Sequence, residues 1–342
     1  MNHVKLLPGW FSLLHQKRED AYGKVRKKMK EANMKICFYG LGGVGGYFGS
    51  IITKELGCKH DIYFIARGTH KERIIENGLT LKKSGGKEII NVHPKTCTDV
   101  VTDLPICDLI IVAVKSYDLA NAVQMINNIA DDKSIILPLL NGVDIYDRIR
   151  EHLSFGVVLP SCVYVGTHIE SPGIIYQNGG SCRIHMGKDP KFPDFYPEIL
   201  INVLNESHIE FSWEENIEIA IWSKFMFIAA YGLVGAAFEK TLGEILENQV
   251  LSQKVKEIMV EIETVARKLK IPLDSGIIDT SFLKAKQFPF GTKTSFHRDI
   301  EKKGRINEGD LFGGTLKRYG ESLGVPTSNI DFTYNKLLER LG

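Results

Sequence analysis

The apolar positions change their period partway along the chain, and the change divides it. Lys35–Tyr39, Asp61–Ala66, Asp108–Val114 and Ser134–Leu139 are short apolar runs closed by turn residues, the pattern of strands buried on both faces of a parallel sheet. Val44–Leu56 and Leu119–Ile129, lying between them, repeat apolar residues at helical spacing. Leu79–Leu81 and Ile89–Val92 flank Ser84-Gly85-Gly86 as an edge hairpin, and Val157–Val165 continues the strand pattern. Gly173–Tyr176 and Arg183–Met186 flank Asn178-Gly179-Gly180 as a second hairpin, and Ile209–Trp213 is the last strand. From about Glu215 the period is that of helices only, over Ile217–Ala237, Val250–Leu269, Asp310–Leu323 and Ile330–Leu341. The fold class expected is α/β: a Rossmann-type doubly wound parallel sheet over 34–214, then an all-α domain over 215–342, with 1–33 as an N-terminal extension.

The first strand ends in a glycine cluster. Gly40, Gly42 and Gly45 stand at G-x-G-x-x-G spacing, and with Leu41, Gly43 and Val44 between them they join a buried strand to a helix. Gly40 permits a tight turn, Gly42 lets the backbone approach a pyrophosphate, and Gly45 lets the helix pack closely on the strand. The helix N-terminus then offers free N–H groups and partial positive charge to an anion. A dinucleotide is the ligand this arrangement suits. At the end of the second strand, where an NAD site places an acid for the ribose 2′-hydroxyl, the chain has Arg67. A guanidinium donates paired, charge-assisted hydrogen bonds to a 2′-phosphate, which favours NADP; as a bare residue Arg67 also reads as a solvated loop charge. Lys115 and Asn141 end the next two strands, and ligands of open α/β sheets bind beyond such ends. Taken singly they read equally as a surface lysine and a turn asparagine.

Composition narrows the classes. With 342 residues, 44% hydrophobic and 25% charged, and a formal net charge of +2, the chain reads as an ordinary globular protein and not a nucleic-acid binder. Its excess charge is local, since residues 1–33 carry eight Lys/Arg against three Asp/Glu. No run of about eighteen apolar residues stands out, so no membrane partner is expected. Six cysteines lack C-x-x-C spacing and read as small core residues of a reducing, cytoplasmic compartment, with no metal site.

Three polar residues stand out in the helical part. Lys224 lies within I-W-S-K-F-M-F-I-A-A, where burial would lower its pKa toward a range useful for proton donation, although a lysine there can also snorkel. Ser295 opens a helix in T-S-F-H-R-D and reads equally as a cap; Glu308, in I-N-E-G-D-L-F, reads equally as an acid just inside a helix N-terminus.

Together these motifs resemble the ketopantoate reductase (2-dehydropantoate 2-reductase) family: G-L-G-G-V-G-G, A-V-K-S-Y, L-L-N-G-V, W-S-K-F, T-S-F-H-R-D and N-E-G-D, in that order from Met34 onward. The resemblance implies a helical domain like that of 6-phosphogluconate dehydrogenase. It implies NADPH-dependent reduction of a 2-keto acid, 2-dehydropantoate or a related substrate, as in pantothenate biosynthesis, with a homodimer left open as the assembly. By the same resemblance Lys224 is the proton donor and Glu308 holds the substrate hydroxyl and helps position that lysine. Asn141 lies between nicotinamide and substrate, Lys115 lines the cofactor and substrate crevice, Ser295 binds the substrate carboxylate, and Arg67 takes the 2′-phosphate. The chain departs from the pattern one and two helical turns after Lys224, where Ile228 and Gly232 replace the usual Asn residues, and at Phe296, where Met is usual. Those departures motivate two alternatives: a larger, more apolar 2-keto acid as substrate, and an NADP(H)-binding sensor or scaffold without reductase activity.

Overall fold

The computed structural model describes residues 33–301 and 306–341; of the expected extension over 1–33, all but Asn33 lies outside them. The chain begins with β1 (Lys35–Tyr39), α1 (Gly43–Leu56), β2 (Asp61–Ile65) and α2 (Gly68–Asn77). It continues through β3 (Leu79–Lys83), β4 (Glu88–Val92), β5 (Thr96–Thr98), β6 (Leu109–Val112), α3 (Leu119–Ile126), β7 (Ile135–Pro138), α4 (Ile145–Arg150) and β8 (Val157–Val158). Six parallel strands form one sheet in the order β5-β2-β1-β6-β7-β8. β6 and β7 are wholly buried and β1 and β2 nearly so, which is why they appear in the sequence as unbroken apolar runs. The strand order reverses between β1 and β6. That switch opens a crevice at the carboxyl ends of both strands, where the glycine turn, Lys115 and Asn141 follow β1, β6 and β7.

The remaining strands depart from expectation. β9 (Ser161–Ser171), β10 (Ile174–Gly187) and, after α5 (Glu198–Glu206), β11 (Phe211–Glu214) join β3 and β4 in a second, five-stranded sheet. The β3–β4 hairpin forms, but in that sheet and not at the edge of the first. The hairpin expected around Asn178 does not form: β10 runs unbroken through it, and the reversal lies at 172–173, between β9 and β10. Gly179 (φ +147°) and Gly180 (φ +81°) instead make bulges, and the register against β9 shifts on either side of Gly179. Likewise Val157–Val165 is split. Pro160, which has no N–H to give a ladder, separates β8 of the first sheet from β9 of the second.

α1 fills the space between the two sheets. Phe38, Phe48 and Phe64 pack there with Ile175, Ile184 and Met186, and a side chain on Gly46 would come within 2.5 Å of Ile175.

Among the described residues beyond β11 every regular element is helical: α6 (Ile217–Phe238), α7 (Leu242–Glu247), α8 (Gln249–Lys268), α9 (Ile277–Lys284), α10 (Ser295–Ile300), α11 (Thr315–Leu323) and α12 (Ser328–Leu341). A π-type turn, Asp310–Gly314, leads into α11. α6 is apolar on all sides and is the hub of this part. By length and composition alone it would cross a membrane, which the sequence reading did not anticipate, but 72% of its most apolar window is buried inside the protein. Its Phe225 and Tyr231 share one core with Cys37, Ile110, Val112 and Ile136 on the free face of the parallel sheet, so the helices dock beside the crevice.

Candidate active site

Steric demand explains Gly40, Gly43 and Gly45 of the turn separately. Gly40 has φ +98°, and a side chain there would meet the Ala113 carbonyl at 2.9 Å. A side chain on Gly45 would fall 1.9 Å from the Gly40 carbonyl oxygen, and one on Gly43 would strike the Thr167 backbone at 2.8 Å. Gly42 differs: nothing lies within 4 Å of the space its side chain would fill. That open space sits at the N-terminus of α1, which has no side-chain cap and no acid in its first turn. An unblocked helix N-terminus beside a bare backbone fits a pyrophosphate. Leu41 is buried with its carbonyl 2.8 Å from His70 Nε2, and His70 Nδ1 accepts from Gly173 N–H at 2.9 Å, so His70 ties the turn to the second sheet. Val44, half-buried, is the second residue of α1.

The strand ends carry the polar groups. Arg67 follows β2 and starts α2; its side chain is 74% exposed and donates to Asp118 Oδ2 at 2.7 Å. Lys115 follows β6 and reaches Asp299 Oδ2 at 2.5 Å and Glu308 Oε2 at 2.7 Å. The other oxygen of Glu308 accepts from Ser116 N–H at 3.2 Å. Burial works against the Lys115 ammonium, but the charges of Glu308 and Asp299 outweigh it and raise the pKa.

Lys224 meets the sheet from the opposite side. It is buried in α6, 8% exposed, and its Nζ donates to Asn141 Oδ1 at 2.6 Å and lies 5.6 Å from the centre of the Tyr164 ring. Burial is the largest influence on this ammonium and lowers its pKa to about 8. Cys162 and Glu308 oppose the shift, while the charge of Lys284 adds to it. The helix and the strand end are thus joined at the crevice mouth by a hydrogen bond between residues 83 apart in sequence.

Two details differ from expectation. Glu308 is not inside a helix but at the bend before the π-type turn, and its direct hydrogen bonds go to Lys115 and Ser116, not to Lys224. Ser295 is exposed at the first position of α10 and does not cap it; the Thr294 hydroxyl accepts from His297 N–H at 3.1 Å. Gly232 is closed off by Phe296, which lies 3.4 Å from where its side chain would begin. Two of the three departures from the family pattern, Gly232 and Phe296, therefore meet in space: the aromatic ring lies against the position where an amide is usual.

Sequence reading missed several groups at this site. Asp118 and Asp299 bind the lysine and arginine picked from the motifs, and Tyr164 of β9 and Lys284 of α9 flank Lys224. Periodicity could not find them, because α9 is short and Tyr164 lies on a strand whose sheet was not foreseen.

Two family models match. "Ketopantoate reductase PanE/ApbA" covers residues 36–191, and the C-terminal model of the same family covers 216–340. Among curated relatives, an uncharacterised oxidoreductase, YkpB, of Bacillus subtilis is 26% identical over 89% of this chain and 98% of its own. A 2-dehydropantoate 2-reductase of Streptococcus pyogenes is 26% identical over 86% of this chain and 94% of its own. A D-mandelate dehydrogenase solved with NADH and anilino(oxo)acetate shares the fold at TM-score 0.78, with 22% identity over 90% of this chain and 98% of that one.

Proposed function

We propose, from the premise that this chain belongs to the ketopantoate reductase family, that it reduces a 2-keto acid with NADPH and uses Lys224 as the proton donor. It is an oxidoreductase acting on CH–OH groups with a nicotinamide cofactor, as the family is. In the proposed division of labour, residues 34–214 hold the cofactor and residues 215–342 supply the substrate side.

Gly40, Leu41, Gly42, Gly43, Val44 and Gly45 would hold the pyrophosphate by their backbone at the start of α1. Arg67 would meet the 2′-phosphate. Its present partner, Asp118, is a carboxylate that the phosphate would replace as acceptor. The cofactor, when bound, supplies a hydride to the carbonyl carbon. The chain supplies the proton. Lys224 Nζ gives it to the carbonyl oxygen, leaving a neutral amine that Asn141 Oδ1 keeps oriented and that solvent reprotonates. An ammonium with its pKa near 8 gives up that proton far more readily than a solvated lysine. Glu308 and Lys115 line the same crevice as an ion pair, with Glu308 available to the substrate hydroxyl. Ser295 is the residue left to the substrate carboxylate by resemblance.

The observation that carries this reading is the buried Lys224 ammonium, bonded to Asn141 beside the crevice and, among the described residues, without a carboxylate bonded to it. Initial rates with 2-dehydropantoate and with bulkier 2-keto acids, using NADPH and NADH in parallel, test it. NADPH oxidation with at least one of them is expected. Tight NADPH binding without turnover on any would favour a sensor instead. A second reading of the substrate rests on Ile228, Gly232 and Phe296: an apolar wall where amides are usual favours a larger, less polar 2-keto acid than 2-dehydropantoate.

A further inference from the structure

α9 ends at Lys284, and that side chain returns to the crevice. Its ammonium lies 4.6 Å from the centre of the Tyr164 ring and 5.7 Å from that of Phe227. Lys224 lies 5.6 Å from the same Tyr164 ring, so one aromatic side chain of β9 carries two ammonium groups from two different helices. Among the described residues neither has a carboxylate partner, and Lys284 has no hydrogen-bond acceptor at all. Lys115 is different, being neutralised by Asp299 and Glu308. Two unpaired like charges that share one partly buried ring repel each other and lose hydration, and the face of the ring offsets only part of that cost. An anion bound beside this ring would relieve both penalties.

We propose that Lys284 binds the carboxylate of the 2-keto acid, and that the substrate class is a 2-keto monoacid with an apolar tail. The inference rests on the reductase reading, because in a 2-keto acid the carboxylate is one bond from the carbonyl. Whatever holds the carboxylate must therefore stand near the proton donor, and Lys284 reaches the same Tyr164 ring as Lys224. It also restores what Ile228 and Gly232 remove, since a cation from another helix replaces the amide donors absent from α6. The tail faces an aromatic wall: Phe227 stacks on Phe288 at 5.8 Å, next to Tyr164.

The test uses the full chain with Lys284→Met and Lys284→Arg. It reads kcat and KM for the best 2-keto acid, and the Kd of oxamate, a non-reacting mimic, by calorimetry with cofactor present. In Lys284→Met, KM and the oxamate Kd should each rise about 10- to 100-fold, more than kcat falls, as loss of a charge-assisted hydrogen bond requires. Lys284→Arg should recover part of the loss, and an unchanged cofactor Kd shows that both variants fold. Unchanged KM and oxamate Kd in Lys284→Met would overturn the inference while leaving the reductase reading intact. If the wild-type chain reduces no 2-keto acid but binds oxamate through Lys284, the reductase reading falls and the carboxylate site stands. If it neither reduces nor binds, both fall.

Discussion

At the sheet side of the crevice Lys115 is ringed by carboxylates, while Lys224 at the helical side has an amide oxygen and an aromatic ring. The two are the same residue type, yet their pKa values move in opposite directions, that of the half-buried Lys115 up and that of the buried Lys224 down. Lys115 is raised because Glu308 and Asp299 outweigh its burial; Lys224 falls to about 8 because burial outweighs everything near it. Both partner and depth separate the two: carboxylates hold the half-buried Lys115 as a cation, while the buried Lys224, with no such partner among the described residues, is depressed toward the range of the proposed proton donor. Lys115 holds Glu308 in place, and in the proposed mechanism Lys224 exchanges its proton.

Three substitutions would break or sharpen that contrast. Lys224→Ala should cost most, lowering kcat for 2-keto acid reduction by about 10²- to 10⁴-fold while the cofactor Kd, measured by fluorescence, stays within about twofold of wild type. Glu308→Gln acts on the other lysine. It removes a nearly buried charge that binds both Lys115 and the Ser116 N–H, and denaturant unfolding should show a loss of about 1 to 3 kcal/mol. The sign follows from Lys115, whose pKa is raised by that carboxylate, so the loss should be full at neutral pH, below the ordinary lysine range, and shrink as pH rises through the raised Lys115 pKa. Arg67→Ala should have the smallest effect, raising KM for NADPH about tenfold and leaving that for NADH nearly unchanged, because the guanidinium is exposed and already shared with Asp118.

The two halves of the molecule also differ in how much of them could be read from sequence. In the parallel sheet, burial on both faces writes itself as apolar runs, and the glycine turn is local, so the central strands and the cradle follow from neighbouring residues. The second sheet was not legible because its pairings are nonlocal. Gly179-Gly180 carries the composition of a turn yet bends β10 without reversing it. The helical half showed its period but not its partners. Lys224 announced itself as a charge within an apolar helix. The Lys115–Glu308 contact spans 193 residues of sequence, and Lys284 sits at the end of a short helix with no periodic signal of its own. Glu308 hydrogen-bonds the lysine on the sheet and reaches Lys224 through its charge.

The pH dependence of kcat, followed in both directions between about pH 6 and 10 at saturating cofactor, is the most direct test of Lys224 as the acid. Reduction needs the ammonium and oxidation needs the free amine. The account therefore predicts that the reduction rate falls, and the oxidation rate rises, as pH passes through about 8, and that both limbs vanish from the residual activity of Lys224→Ala. A reduction rate that stays level through that range in the wild type, or limbs that persist in Lys224→Ala, would contradict it.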